Sequence, residues 1–93
     1  MAEEILSVDT DETHSSAQDP GDADVIVFIK GEYGSVVHPL SAVMIQFETS
    51  DGGWVTQDTL RGTRPSLVVP PGVTWRVYRK KQAADAACGV DRS

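Results

Sequence analysis

The sequence predicts an all-β protein, a small antiparallel sandwich or barrel, and three features indicate it. Residues 42–48 (AVMIQFE) and 73–80 (VTWRVYRK) alternate between apolar and other side chains, as a strand with one buried face does. Residues 50–53 (SDGG) tolerate the positive φ angles that a tight connection between antiparallel strands requires. The chain has 93 residues, which is room for one such domain.

The first segment, residues 1–23, is predicted to be an extended acidic arm outside the domain. Residues 1–24 hold eight acidic residues and no Lys or Arg, whereas the remainder has 8 basic and 6 acidic residues, a net charge of +2. Its apolar anchors are Ile5, Leu6 and Val8, too few to offset the entropy of ordering the segment alone. We expect a flexible segment, either a solvated tail or an arm that docks on a neighbouring molecule through these three residues.

The β-domain is predicted to span residues 24–81. Its central strand is residues 25–29 (VIVFI), a β-branched apolar run typical of a strand buried on both faces. A connection at residues 32–40 follows, with a short extended piece at Val36 and Val37. The hairpin comes next, and its first strand directs three side chains to the core: Val43, Ile45 and Phe47.

The second half of the domain is predicted to hold a loop at residues 59–65 and a brief strand at residues 66–69. Pro70, Pro71 and Gly72 then reverse the chain, because proline removes ladder donors and glycine permits a type II turn. The last strand begins at residue 73 and runs to about Lys80. Its core-facing side chains are Val73, Trp75 and Val77.

The last segment, residues 82–93, is predicted to be a short tail that forms at most a turn or two of helix through its alanines. The single cysteine, Cys88, excludes an internal disulfide, and two histidines do not complete a zinc site of the usual kind. Because so small a core is near the lower limit of independent stability, we expect support from neighbouring subunits, hence a homo-oligomer.

Charge and hydropathy narrow the class of protein. No stretch approaches the roughly 20 apolar residues of a spanning helix, and the N-terminus lacks the basic region of a signal peptide, so we expect no membrane contact and synthesis in the cytoplasm. A body with a net charge of only +2 does not favour a nucleic-acid partner.

A basic cluster near the end of the last strand is the main candidate for partner binding. It consists of Arg76, Arg79, Lys80 and Lys81, with Arg61 and Arg64 in the preceding loop. The cluster is either a solvated strand end or a surface that meets the acidic arm of a neighbouring copy. Charge complementarity would steer and register such a contact more than strengthen it.

Reactive groups do not form a recognisable motif. His14 and His38 lie in no motif that orients a general base, and Cys88 has no close basic neighbour that would lower its pKa. The serines at positions 35, 41, 50 and 66 lack a G-x-S-x-G context. The acids at positions 9, 11 and 12, or 19, 22 and 24, match no complete calcium loop. We therefore expect no catalytic residue, no cofactor and no metal.

Three aromatic residues are candidates for stacking on a sugar ring: Tyr33, Trp54 and Tyr78. Trp54 lies next to a turn, where such a side chain more often fills the core, as large aromatic side chains are highly buried on average.

The order VIVFIKGEYG, then VMIQFETSDGGW, then PPGVTWRV resembles small β-domains in structural proteins of tailed bacteriophages. A segment VVHPLSA separates the first two parts, where the family pattern has a short turn. The matching positions are Lys30, Gly31, Gly34, Ser50, Asp51, Gly52, Gly53, Trp54, Pro70, Gly72, Arg76 and Val77.

The resemblance implies a non-enzymatic virion component that is assembled in the host cytoplasm. We expect a head decoration (cement) protein that binds the major capsid protein or another virion protein, as a symmetric oligomer for which a trimer is one option. The alternative is a carbohydrate-binding or fibre-associated module of a phage tail.

Overall fold

The computed structural model describes residues 2–32 and 36–93, and it confirms the all-β fold. Met1, Tyr33, Gly34 and Ser35 lie outside the described residues, so the stacking role predicted for Tyr33 and the pattern match at Gly34 do too. No membrane-spanning helix is found in the part of the chain that the structure describes. The strands are β1 (Glu3–Asp9), β2 (Thr13–His14), β3 (Val25–Gly31), β4 (Ala42–Glu48), β5 (Trp54–Arg61), β6 (Ser66–Val69), β7 (Trp75–Arg79) and β8 (Cys88–Arg92).

These strands form two four-stranded antiparallel sheets that pack face to face as a sandwich. Sheet I has the strand order β1-β8-β3-β6, and sheet II has the order β2-β7-β4-β5. Because side chains alternate along each strand, one face of each sheet builds the shared core and the other faces outward. The buried core residues are Leu6, Val27, Ile29, Val43, Ile45, Leu60, Val69, Trp75, Val77, Cys88 and Val90.

The hairpin of β4 and β5 is confirmed, and its turn shows why the glycines are needed. Gly52 has a φ of 85°, which L side chains rarely adopt, and the Thr49 amide donates to the Gly53 carbonyl at 2.8 Å. Strand β5 ends later than predicted. The sequence predicted a loop from residue 59, but Leu60 pairs with Val43 and is fully buried. Burial of this one leucine extends β5 to Arg61.

Strand β3 lies between β8 and β6, so its central position is confirmed. The prediction that both faces are buried is wrong. Val27 and Ile29 point into the core, but Ile26 on the other face is 49% exposed. The run VIVFI is continuous because the residues on the outer face of β3 are apolar as well. The strand therefore lacks the alternation of apolar and polar side chains that marks a strand with one solvent-facing side.

Strands β6 and β7 follow the prediction closely. Strand β6 occupies residues 66–69, as expected, and pairs with β3. Trp75 and Val77 of β7 are buried, and Val73 packs against the same core just before the strand begins.

The prediction of a flexible arm at residues 1–23 is wrong, because the segment pairs with other parts of the chain as far as Gly21. Strand β1 pairs with β8 along the edge of sheet I, and Leu6 is a core residue with 5% exposure. Strand β2 then extends sheet II by pairing with Tyr78 and Arg79 of β7. The segment is ordered because ladder hydrogen bonds and one buried leucine, supplied by other parts of the chain, offset the entropy that it could not offset alone.

The prediction of a loose tail at residues 82–93 is also wrong. Strand β8 lies inside sheet I between β1 and β3, and both Cys88 and Val90 are buried. Gly89 fits because a Cβ there would come within 2.5 Å of the Leu6 carbonyl oxygen of β1. The domain therefore extends beyond the predicted limits of residues 24–81, since sheet I needs strands from both predicted arms.

Candidate interaction surface

The outer face of sheet I carries an apolar stripe, formed by Ile26, Phe28 and Val68. Ile26 and Val68 are directly opposite each other on β3 and β6, which places their side chains in contact range on one face. They are 49% and 56% exposed, and Phe28 beside them is half-buried. Neighbouring exposed apolar side chains of this kind mark surfaces that contact other molecules more often than isolated ones do.

An ion-pair cluster borders the stripe at the β1 and β8 side. The Lys30 ammonium lies 2.5 Å from Glu4 Oε2 and 2.8 Å from Asp91 Oδ1. Burial lowers the pKa of Lys30, but the hydrogen bonds and charges of Asp91 and Glu4 outweigh it, so the pKa is raised overall. With two carboxylates and one ammonium, the cluster has a net charge of −1.

A cleft of about 680 Å³ adjoins both features. Phe28 and Ser66 line its side toward the apolar stripe, and Lys30 and Asp91 line its charged side. Val37, from the connection between β3 and β4, lines it as well. A cleft with apolar walls and a few charged groups suits an anchoring side chain of a partner.

The outer face of sheet II is polar, and its side chains bind one another. The Arg76 guanidinium lies 4.4 Å from the centroid of the Trp54 ring, and its Nε donates to Gln46 Oε1 at 2.8 Å. The Tyr78 hydroxyl donates to Glu12, and this bond raises the pKa of Tyr78. These polar groups are therefore satisfied within the chain.

The structure separates the three N-terminal residues that the sequence predicted as a docking patch. Leu6 points into the core, and its partly buried neighbour Ile5 packs against that core. Val8 is also half-buried on β1. Leu6 is not available to a partner, because removing it from the core would expose a side chain that is now 5% exposed.

The predicted basic cluster is likewise divided. Lys80 and Lys81 are exposed beyond the end of β7, whereas Arg76 lies over Trp54 on the outer face of sheet II. Arg79 is 1% exposed on the core side of the same strand. Arg64 pairs with Asp58 at 2.7 Å, and Arg61 is exposed. The cluster predicted to bind a partner therefore does not form one surface; its members are Arg76, Arg79, Lys80 and Lys81.

Arg79 has a structural role that the sequence analysis missed. Its Nε donates to the Asp11 carbonyl at 2.8 Å, and its Nη1 donates to the carbonyls of Ser7 at 2.8 Å and Cys88 at 2.6 Å. These bonds tie β7 of sheet II to β1 and β8 of sheet I. The alternation of Trp75 and Val77 already indicated that Arg79 faces the core, since residue 79 falls on the same face of the strand.

The acidic segment thus meets basic and polar residues within its own chain. Glu4 binds Lys30, Glu12 binds Tyr78, and the Asp11 backbone binds Arg79. The predicted contact between this segment and a neighbouring copy is replaced by these internal contacts.

The remaining candidates have local partners. His38 accepts a hydrogen bond from the Leu40 amide at 3.1 Å in a turn, and His14 contacts the Ser15 carbonyl at 2.7 Å. Burial raises the pKa of the Cys88 thiol, and the nearby Arg79 charge offsets this only in part. In residues 2–32 and 36–93, no three His, Cys, Asp or Glu side chains gather where they could hold a metal ion.

Comparison of the chain with protein-family models, with curated proteins and with solved structures finds no match.

Proposed function

We propose that this protein is a non-enzymatic structural component of a phage particle, a decoration or cement protein that binds a larger protein shell through the outer face of sheet I. The observation that supports the proposal is the apolar stripe of Ile26, Phe28 and Val68. It is exposed on one side of a sandwich whose other outer face satisfies its own polar groups. The phage assignment itself rests on the sequence resemblance described above.

The proposed contact uses the stripe and the cleft together. The partner covers Ile26 and Val68, and one of its side chains enters the cleft beside Phe28. Burial of apolar area at about 25 cal/mol per Å² supplies the attraction, while the Lys30 cluster orients the partner. A single contact of this size is weak, but many copies on a repeating shell act together.

The first test is genetic. The proposal predicts that the gene lies beside a major capsid gene of a phage or prophage. A gene that lies among host metabolic genes contradicts it.

The direct test is adsorption to shells assembled without this protein. Purified protein and shells are mixed and sedimented, and we expect wild-type protein in the pellet. Val68→Glu should remain in the supernatant, because a charge on the stripe cannot be covered at low cost. Val55→Glu is the matched control, since Val55 is a comparably exposed valine (48%) on the edge strand of sheet II, and it should sediment. Failure of the wild type to sediment with the shells overturns the proposal.

The sugar-binding alternative makes a different prediction, a change in tryptophan fluorescence when polysaccharide is added. It would use the exposed part of Trp54, but the Arg76 guanidinium already covers one face of that ring. The shell-binding proposal predicts no change in this titration.

A further inference from the structure

The two sheets have four edge strands, β1 and β6 in sheet I and β2 and β5 in sheet II. These edge strands differ in how well they are protected against pairing with another chain. Strand β1 carries Glu3 and Glu4 and has two register shifts, and β2 is two residues long. Strand β5 carries Asp58 and Arg61 and a bulge at Gln57, where Ile45 faces Asp58 but Gln46 faces Thr56. Charges, bulges and short length are the usual means of blocking an edge.

Strand β6 has the least protection. Its sequence is Ser-Leu-Val-Val, without a charge, and its pairing with β3 is regular over all four residues. Its short length limits it, and Pro65 and Pro70, which bound the strand, confine the available edge to residues 66–69. An uncharged, regular and apolar edge is a template for another strand.

The backbone groups that β6 directs away from sheet I can be assigned. The Ile29 amide donates to the Pro65 carbonyl at 2.9 Å, so Pro65 directs its carbonyl toward β3. Because these groups alternate along an antiparallel strand, Leu67 and Val69 also bond to β3. Ser66 and Val68 then direct their N–H and C=O groups to the free edge.

We propose that two copies of this chain pair through their β6 strands, antiparallel, around a two-fold axis at Leu67. Ser66 of one copy then lies opposite Val68 of the other, and each pair exchanges two N–H···O bonds. The two sheets I become one continuous eight-stranded sheet. Since a two-fold axis perpendicular to the sheet keeps both outer faces on one side, the two apolar stripes merge into one patch.

Charge complementarity supports a second copy as the occupant. Continuing the same register places Pro70 of one copy opposite Arg64 of the other. Asp24 precedes β3 next to Pro70, because Val25 pairs with Val69. Arg64 already pairs with Asp58 of its own chain at 2.7 Å, but its side chain is 61% exposed. In the dimer it approaches a second acidic residue, the exposed Asp24 of the other copy, and the contact occurs twice by symmetry.

A cysteine cross-link tests the register. In the proposed pairing Leu67 faces its own equivalent at a Cα separation of about 4.5–5.5 Å, within reach of a disulfide. Leu67→Cys should give a covalent dimer on oxidation. Ser66→Cys is the matched control and should stay monomeric on a non-reducing gel, because its equivalent lies roughly 8 Å away, beyond the limit for bridging. Native Cys88 is buried and should not contribute.

Sedimentation equilibrium tests the dimer without engineered thiols. Wild-type protein and Val55→Lys should dimerise with rising concentration. Val68→Lys should remain monomeric, because a lysine on an edge strand disfavours pairing with another strand. Hydrogen exchange gives an independent readout, in which the Ser66 and Val68 amides become protected only in the dimer. A wild type that is monomeric at every concentration, or a dimer in which these two amides exchange freely, overturns the inference.

Discussion

The two outer faces of the sandwich are built from the same number of strands but have opposite character. On sheet II, Arg76, Gln46 and Trp54 bind one another across three strands, so that face is complete without a partner. On sheet I, Ile26 and Val68 face each other across β3 and β6 and remain about half exposed. The comparison shows that one outer face satisfies its own polar groups, whereas the other leaves apolar side chains uncovered.

The two sheets also differ in which parts of the chain build them. Sheet II depends mainly on the hairpin of β4 and β5 and on β7, which all lie within residues 42–79. Sheet I joins β1 and β8, from opposite ends of the chain, to β3 and β6. The face proposed to bind partners is therefore held by long-range pairing.

Removing β8 should have the largest effect. A variant that lacks residues 88–93 loses the strand between β1 and β3, together with the buried side chains of Cys88 and Val90. We expect an unfolded chain, measured as loss of the β signal in circular dichroism and of dispersed amide resonances. A folded truncated protein would show that sheet I does not need its C-terminal strand.

Arg79→Met should have the next largest effect. The substitution leaves the carbonyls of Ser7, Asp11 and Cys88 without their donor, and we expect it to lower the free energy of unfolding by about 3 kcal/mol. Arg76→Met is the control, because Arg76 lies on the partly exposed outer face of sheet II, and we expect a loss of about 1 kcal/mol or less. Urea unfolding measures both. Equal losses would contradict the role of Arg79 as the tie between the sheets.

Alkaline pH should weaken the protein, and Cys88 should account for part of the loss. Its pKa is raised in the folded state, so its favourable contribution is fully present below its ordinary value of 9.0 and is lost as the pH rises through the folded pKa. The raised pKa of Lys30 acts in the same direction above 10.5. The free energy of unfolding, measured across this range, should fall less steeply in Cys88→Ala than in the wild type. Identical pH profiles would contradict the burial of the thiol.

Ile26→Glu should have the smallest effect on stability, although it removes a large apolar side chain. Because Ile26 lies on the outer face, we expect the free energy of unfolding to change by about 0.5 kcal/mol or less. It should still dimerise through β6 but fail to adsorb to shells, which separates the two proposals. A loss of several kcal/mol would show that the stripe belongs to the core.

The parts of the fold predicted correctly are those whose own residues determine them. Strands β4, β6 and β7 alternate or are bounded by turn residues, and Gly52 marks the hairpin turn. Leu60 was missed because its strand continues past a bulge at Gln57, which breaks the alternation.

The ends were not predicted because their structure comes from partners distant in sequence. Leu6 is buried by β8 and Gly89 is required by β1, and neither residue indicates the other in the sequence. The apolar stripe was missed for a related reason. The run VIVFI is typical of a strand buried on both faces, and only the structure shows that Ile26 and Phe28 face outward.

Hydrogen exchange on the assembled protein tests the central claim, that sheet I is the face used by partners, most directly. Amide exchange is compared between dilute, monomeric protein and protein at a concentration at which it dimerises. We predict new protection at Ser66 and Val68 of β6 and unchanged exchange along β5 of sheet II. New protection on β5 or at Trp54, with β6 unchanged, would contradict the claim.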